Sequence, residues 1–259
     1  MPGMEHTATQ QAAKSLQEII DKSRRIVFFG GAGVSTESGI PDFRSSGGLY
    51  RQEYRYPPEE VVSHAFFLRH TEEFYQFYKS RMLYPDARPN PAHFKLAELE
   101  QAGRLTAVIT QNIDGLHQAA GSRNVLELHG SVHRNYCMEC HRFYDAAYIR
   151  QSKGIPRCAC GGIIKPDVVL YGESLDGPTM ERAAREIRQA DTLIVGGTSL
   201  AVYPAAGFLD FFGGRHLVVI NRDATPRDAD ANLLIRQPIG EVMSRLTVQE
   251  DSPGGQRDA

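Results

Sequence analysis

The residues best equipped for chemistry fall into two groups, a thiol cluster and a set of polar side chains that follow apolar runs. All four cysteines lie close together, as Cys137-x-x-Cys140 and Cys158-x-Cys160. Four thiolates complete a tetrahedral shell around Zn²⁺, and a closed shell leaves no position for substrate, so such a metal is structural. The second pair is tighter than the usual two-residue gap, and a redox dithiol is the alternative use of these thiols. Disulfide frameworks belong to small secreted chains, and this chain has 259 residues.

The second group begins at Gly31-Ala32-Gly33, directly after the apolar run Ile26-Val-Phe-Phe-Gly30. A strand running into a glycine turn gathers backbone N–H groups, and a helix begun there adds its positive end, which suits a diphosphate. The glycine pattern is incomplete because Thr36 stands where a third glycine would be, and a tight turn without a ligand is the plain alternative. A dehydrogenase would need a second strand ending in an acidic residue about 20 positions on. Residues 45–56 are too polar and glycine-rich to be that strand, which counts against hydride transfer. The turn continues instead into Pro41-Asp42-Phe43-Arg44, where an ordinary dinucleotide fold would extend its helix.

Four further clusters follow apolar runs in the same way. Gln111-Asn112-Ile113-Asp114 can hydrogen-bond an amide or a ribose, or form a strand-end Asx turn. Glu127-Leu128-His129-Gly130 offers an imidazole, whose ordinary pKa of about 6.5 suits a general base at neutral pH; a structural histidine is the other reading, and His117, His133 and His141 are weaker rivals. Gly196-Gly197-Thr198-Ser199 and Ile220-Asn221 offer backbone donors, hydroxyls and an amide to the second half of a dinucleotide, or are plain loops.

Positioning these groups on one edge requires a parallel sheet. Apolar runs at 26–29, 105–110, 125–128, 192–195 and 217–221, with a shorter one at 168–171, predict strands buried on both faces. Helices are predicted at the N-terminus (1–23, an amphipathic surface helix), at 71–82, from the Asn90 cap with Pro91 in the first turn to the Gly103 stop, at 180–187 and at 203–212. Segments 45–88 and 134–165 interrupt the alternation, and 250–259 reads as a disordered tail. A formal charge of −2 leaves no footprint for nucleic acid or an anionic membrane surface. No apolar stretch nears bilayer length and no signal-peptide core is visible, so a cytoplasmic protein is expected.

Taken in order, these motifs resemble the sirtuin (Sir2-like) family of NAD-dependent protein-lysine deacylases, bacterial type. The matching pieces are Gly-Ala-Gly-Val-Ser-Thr-Glu-Ser-Gly-Ile-Pro-Asp-Phe-Arg, Thr-Gln-Asn-Ile-Asp, Leu-His-Gly, the two Cys pairs, Pro-Asp-Val-Val-Leu-Tyr-Gly-Glu, Gly-Thr-Ser-Leu and Ile-Asn, and they span nearly the whole chain. The resemblance implies an α/β fold: a Rossmann-like parallel sheet with helices on both faces, plus a small zinc-binding lobe and a helical insert. The NAD-binding domain would comprise 1–44, 89–133 and 166–249, with a cofactor loop and helical module at 45–88 and a zinc-binding module at 134–165.

By the same resemblance, Ala32, Thr36, Phe43, Arg44, Gln111, Ile113, Asp114, His129, Thr198, Ser199, Asn221 and Ile239 would bind NAD. His129 and Asn112 would carry catalysis, and Asn112, Ile113 and Asp114 would line the nicotinamide pocket. Val169, Tyr171 and Gly172, with 201–203 opposite, would pair with an extended peptide. Cys137, Cys140, Cys158 and Cys160 would hold one structural Zn²⁺. The implied reaction moves the acetyl group of a protein acetyl-lysine to ADP-ribose and releases nicotinamide, consuming NAD. Removal of other acyl groups, mono-ADP-ribosyl transfer and a non-catalytic NAD or ADP-ribose sensor are the alternatives. Members that prefer acidic acyl chains carry Tyr-x-x-Arg beside the acyl pocket; this chain has Tyr75-Gln-Phe-Tyr78 there, which favours neutral acyl groups, although a Tyr-x-x-Arg follows at Tyr78 to Arg81.

Overall fold

A strand apolar at every position needs cover on both faces, and the chain supplies it. The computed structural model describes residues 2–42, 55–201 and 203–248. Helix α1 (Pro2–Lys22) leads into strand β1 (Ile26–Gly30), buried along its whole length. Helices α2 (Pro58–Val61), α3 (His64–Arg69), α4 (Thr71–Arg81) and α5 (Pro91–Gln101) follow. Asn90 caps α5 by accepting the Ala92 N–H at 3.0 Å, and Pro91 occupies the first turn, where no N–H is needed. Next come β2 (Leu105–Thr110), α6 (Leu116–Ala119) and β3 (Val125–Glu127), then β4 (Gly130–Cys137), β5 (Phe143–Tyr144), α7 (Ala146–Gln151) and β6 (Ile164–Val168). The chain returns through α8 (Gly177–Gln189) to β7 (Thr192–Gly196) and β8 (His216–Ile220), and ends with β9 (Leu233–Ile235) and α9 (Ile239–Met243).

Six strands form one parallel sheet in the order β3-β2-β1-β7-β8-β9. Alternate side chains of β1 serve its two faces: Ile26 and Phe28 pack with Leu16, Leu96 and Met243, while Val27 and Phe29 pack with Ile187, Phe208 and Leu209. Strand order reverses between β1 and β7, where Gly30 pairs with Gly196. In open sheets the crevice outside the carboxyl ends at such a reversal is where ligands bind.

A second, antiparallel sheet, β5-β4-β6, carries Cys137 at the end of β4 and Cys140 in the turn that follows. Its core is shared with α3 and α4: Phe66, Phe67, Phe74, Tyr75 and Tyr78 pack with Cys137, Ile149, Cys158 and Ile164. The two interrupting segments therefore meet in one lobe.

Three sequence expectations change, and one strand was not expected. The run at 168–171 is not a strand of the parallel sheet; β6 ends at Val168 in the small sheet, and its pairing with β4 fixes it there. The helix expected at 203–212 is a 3-10 helix, Ala205–Phe211. The glycine turn starts no α-helix but two 3-10 turns, Ala32–Val34 and Thr36–Ser38. Edge strand β9 has only three residues, too short for its apolar run to stand out. The expected tail lies outside the described residues.

Two histidines are buried, His93 on α5 and His117 on α6, with ring centroids 4.7 Å apart. Burial lowers the His93 pKa to about 4 and, with the charge of His93 adding to it, that of His117 to about 3. An unfolded chain binds these protons near pH 6.5. The unfolded state is thus the more protonated one below that value, so stability is full above about 6.5 and falls as pH drops towards the folded-state values. The urea midpoint should decline from pH 7.5 to pH 5, and His117→Leu should flatten the decline; an equally steep decline in the variant contradicts this.

Candidate active site

The carboxyl ends of β1 and β7 approach closely because their turns carry glycine. Gly31 donates its N–H to the Gly196 carbonyl at 3.1 Å and Gly33 to that of Gly197 at 2.8 Å. A Cβ on Gly33 would stand 2.7 Å from Gly197 Cα, and one on Gly197, whose φ is +58°, 2.3 Å from the Val34 nitrogen. These glycines join two turns and spend their own N–H groups doing so, which corrects the reading of them as donors to a diphosphate.

Ser35 links this turn to the end of β2. Its buried hydroxyl donates to Asp114 Oδ2 at 2.7 Å and accepts from Asn112 Nδ2 at 3.1 Å. Asp114 Oδ1 accepts the Leu116 N–H at 2.9 Å, and its backbone oxygen faces His133 Nε2 at 3.0 Å. Burial raises the Asp114 carboxyl above its ordinary value, against the opposing pull of the Leu116 N–H and the Ser35 hydroxyl. Gln111 Nε2 donates to Thr198 Oγ1 at 3.0 Å, tying the end of β2 to the β7 turn.

His129 stands beside this network with its tautomer fixed. Its Nδ1 lies 3.0 Å from the Gln111 carbonyl oxygen. A carbonyl can only accept, so Nδ1 carries the proton and Nε2 of the neutral ring has a free lone pair. Burial lowers the His129 pKa and the bond to Gln111 opposes it, leaving the ring neutral over a wider range than free imidazole. The flanking residues hold the ring's backbone: Leu128 donates to the Thr110 carbonyl at 2.9 Å, and Val169 donates to that of His129 at 3.0 Å. Gly130 has φ +77°, and a Cβ there would sit 1.9 Å from the Asp167 carbonyl oxygen. Gly130→Ala should cost at least about 1–2 kcal/mol from the backbone alone and depress turnover by shifting His129. Thermal unfolding and activity unchanged from wild type would refute this.

A cleft of about 900 Å³ gathers Ala32, Gln111, Asn112, Ile113, Asp114, His129, Val169, Tyr171, Gly172, Thr198, Ser199 and Asn221 on its walls. Thr36 and Ile239 are not among its lining: Thr36 Oγ1 donates to the Gly33 carbonyl at 3.0 Å, and the Ile239 side chain is buried against Gly196. Phe43 and Arg44 lie outside the described residues. Tyr171 spends its backbone within the lobe, donating to Val62 and accepting from His64, so its N–H and carbonyl are not available to a peptide strand. Tyr203 also lines the cleft. Tyr75 and Tyr78 do not reach it; the face of α4 that carries them covers the small-lobe core, and Arg81, one turn on, lines the cleft instead.

Two residues of these motifs had no role of their own from the sequence. Ser35 bonds to partners far along the chain. Asp223 lines the cleft after β8, its backbone oxygen held by Asn221 Nδ2 at 2.8 Å and by Arg236 Nη1 at 2.5 Å. An acidic residue just past a strand of such a sheet is the available signal, since this is where ribose hydroxyls are bound.

The four cysteine sulfurs lie within 4.8 Å of one another, with Cys137–Cys160 at 3.4 Å and Cys140–Cys158 at 3.5 Å. Sulfurs about 2.3 Å from a tetrahedral zinc are about 3.8 Å apart, so the set fits Zn²⁺. The Cys160 N–H, and then the Tyr144 hydroxyl donating at 3.0 Å, lower the Cys158 thiol to about 6, favouring the thiolate a metal needs. None of the four lines the cleft, so the metal braces the lobe and takes no part at His129.

A parallel sheet of this order, with its polar groups collected at the reversal, belongs to the dinucleotide-binding class of α/β proteins. Within that class the Sir2 family profile matches residues 31–204. An NAD-dependent protein deacetylase of Clostridium perfringens (strain 13 / Type A) is 57% identical over 235 residues, covering 89% of this chain and 96% of its own. One from Staphylococcus aureus (strain Mu50 / ATCC 700699) is 46% identical, covering 91% and 98%. A solved Sir2 enzyme structure aligns with a TM-score of 0.82 at 42% identity over 91% of this chain and 96% of that one. A Sir2 complex with a p53 peptide and NAD+ aligns at 0.79 and 41%, over 90% and 95%. The chain belongs to the Sir2 family.

Proposed function

We propose that the chain is an NAD-dependent protein-lysine deacetylase, transferring the acetyl group of an acetyl-lysine side chain to ADP-ribose with release of nicotinamide. The observation that carries the reading is the His129 imidazole, whose Nδ1–H is committed to Gln111 and whose Nε2 is left as a base in the cleft that holds Asn112 and Asp114. Deacetylase relatives of high identity support the same activity.

NAD supplies a ribose carbon that releases nicotinamide and accepts the acyl oxygen. Asn112, Ile113 and Asp114 hold the nicotinamide amide, with Ser35 fixing the two polar side chains. Ala32, Thr198 and Ser199 take the diphosphate, and Asn221 with Asp223 takes the far ribose. His129 Nε2 then removes a ribose hydroxyl proton, and apolar Ile113, Val132 and Leu170 help exclude water that would otherwise capture the sugar. The acetyl-lysine peptide lies between the 169–172 wall and Tyr203, using Gly172 and the Val169 carbonyl rather than the Tyr171 backbone.

The domain boundaries given above belong to the same proposal, with 1–44, 89–133 and 166–249 forming the NAD-binding part. So does a cytoplasmic setting, supported by four unpaired thiols in a metal-fitting cluster. Among the described residues no helix is long and apolar enough to cross a membrane. A second reading, removal of acidic acyl groups, is favoured by Arg81 on the cleft wall. Mass spectrometry of acetyl- and succinyl-lysine peptides incubated with NAD separates the two: preferential loss of acetyl supports the first, and preferential loss of succinyl replaces it with the second.

A further inference from the structure

We propose that Glu173, clamped by Lys165 and His64, is the positioning residue of the peptide-binding wall and sets the enzyme's affinity for the acylated peptide. The inference rests on the deacetylase reading of the cleft. Residues 168–173 all line that cleft, and Val169 bonds directly to the His129 carbonyl. The segment has no regular partner strand beyond Val168, so isolated backbone bonds and the side chains around it hold its shape.

Glu173 supplies that shape. Its Oε2 accepts the Leu170 N–H at 2.9 Å and faces Lys165 Nζ at 3.1 Å, while Oε1 accepts from His64 Nδ1 at 2.7 Å. The Glu173 N–H returns to the Leu170 carbonyl at 2.9 Å, closing a compact loop. Lys165 Nζ also donates to the Val168 carbonyl at 3.2 Å, so one ammonium holds both ends of the wall. Burial alone would raise the Glu173 carboxyl, but the Leu170 N–H, His64 and Lys165 outweigh it and hold it below the usual glutamate range. Both charged partners are partly withdrawn from water, Lys165 to 20% exposure and Glu173 to 21%, which strengthens the pair relative to a surface one.

The clamp also fastens the wall to the helical module. Ser63 and Tyr171 form a parallel bridge, with the His64 N–H donating to the Tyr171 carbonyl at 2.9 Å and the Tyr171 N–H to the Val62 carbonyl at 3.0 Å. His64 therefore contacts the wall twice, through its backbone at Tyr171 and through its ring at Glu173. Loosening Glu173 frees residues 170–173 to rotate, and an extended peptide then has to order its own binding edge.

The experiment compares Glu173→Gln, Lys165→Met, Lys165→Arg and His64→Ala in the full chain. Glu173→Gln and Lys165→Met should raise the peptide KM about tenfold or more, the size of one lost charge-assisted hydrogen bond. His64→Ala, at a side chain 43% exposed, should give a smaller rise in the same direction. The KM for NAD and kcat should stay within about threefold, and Lys165→Arg should restore most of the peptide affinity. Anisotropy of a fluorescent acetyl-lysine peptide provides the same comparison without turnover, and serves if a variant is too unstable to assay, through His64→Ala. Unchanged peptide affinity in Glu173→Gln and His64→Ala overturns the inference, as does an equal rise in both KM values. Failure of the deacetylase reading is distinct: the wild-type chain would then release no nicotinamide in the presence of acetyl-lysine peptide.

Discussion

Replacing His129 with alanine is expected to lower turnover of an acetyl-lysine peptide by about 10²–10⁴-fold, the usual contribution of a general base. NAD should still bind, because the groups assigned to its amide, diphosphate and far ribose come from other strand ends. The expectation follows from one hydrogen bond: the Gln111 carbonyl takes the Nδ1 proton and leaves Nε2 to act. The pH profile should carry the same signature. Burial lowers the His129 pKa, so the base form persists to lower pH than in a free imidazole, and the acid limb of kcat/KM should fall below about pH 6.5. Calorimetry of NAD binding together with initial rates tests both parts. A variant that keeps more than a tenth of wild-type turnover, or loses NAD binding along with activity, removes His129 from the role of base.

Loss of zinc should be the largest effect on structure. Metal analysis is expected to find one Zn²⁺ per chain, and chelation or Cys140→Ser should unfold the small lobe. Structural zinc contributes about 10–16 kcal/mol of binding in small metal domains, comparable to or above the whole stability of a typical domain. The lobe core contains Cys137 and Cys158 among Phe74, Tyr75, Tyr78 and Ile164, so α3 and α4 should loosen with the two cysteine pairs. The two cores of the parallel sheet contain no cysteine and should survive. Hydrogen exchange resolves the difference: protection lost from β4, β6 and α4 but kept in β1 and β7. A metal-free protein with a fully protected lobe would contradict the assignment.

The parallel sheet was legible because β1, β2, β7 and β8 are predominantly apolar runs, each followed by glycine or polar residues. Asn90-Pro91 likewise announced α5 through purely local capping chemistry. What escaped depends on contacts between distant parts of the chain. Ser35 is an ordinary turn serine until Asn112 and Asp114 arrive from 77 and 79 residues away. Gly31 and Gly33 look like phosphate donors until the Gly197 turn claims the space beside them. Tyr75 and Tyr78 sit on an aromatic helix face, and only the position of the cysteine lobe decides that this face is buried and that Arg81 meets the cleft. The cysteines were readable as ligands from type and spacing, since a metal imposes its own geometry. The tautomer of His129 was not, because it is set by a backbone carbonyl that no motif records.

Incubating the purified chain with NAD and an acetyl-lysine peptide, then following every product by mass spectrometry, decides whether the cleft cleaves NAD to remove the acetyl group. Nicotinamide, deacetylated peptide and O-acetyl-ADP-ribose should appear in equal amounts, with no reduced nicotinamide cofactor formed. NAD left intact in the presence of the peptide, or reduced instead of cleaved, would contradict it.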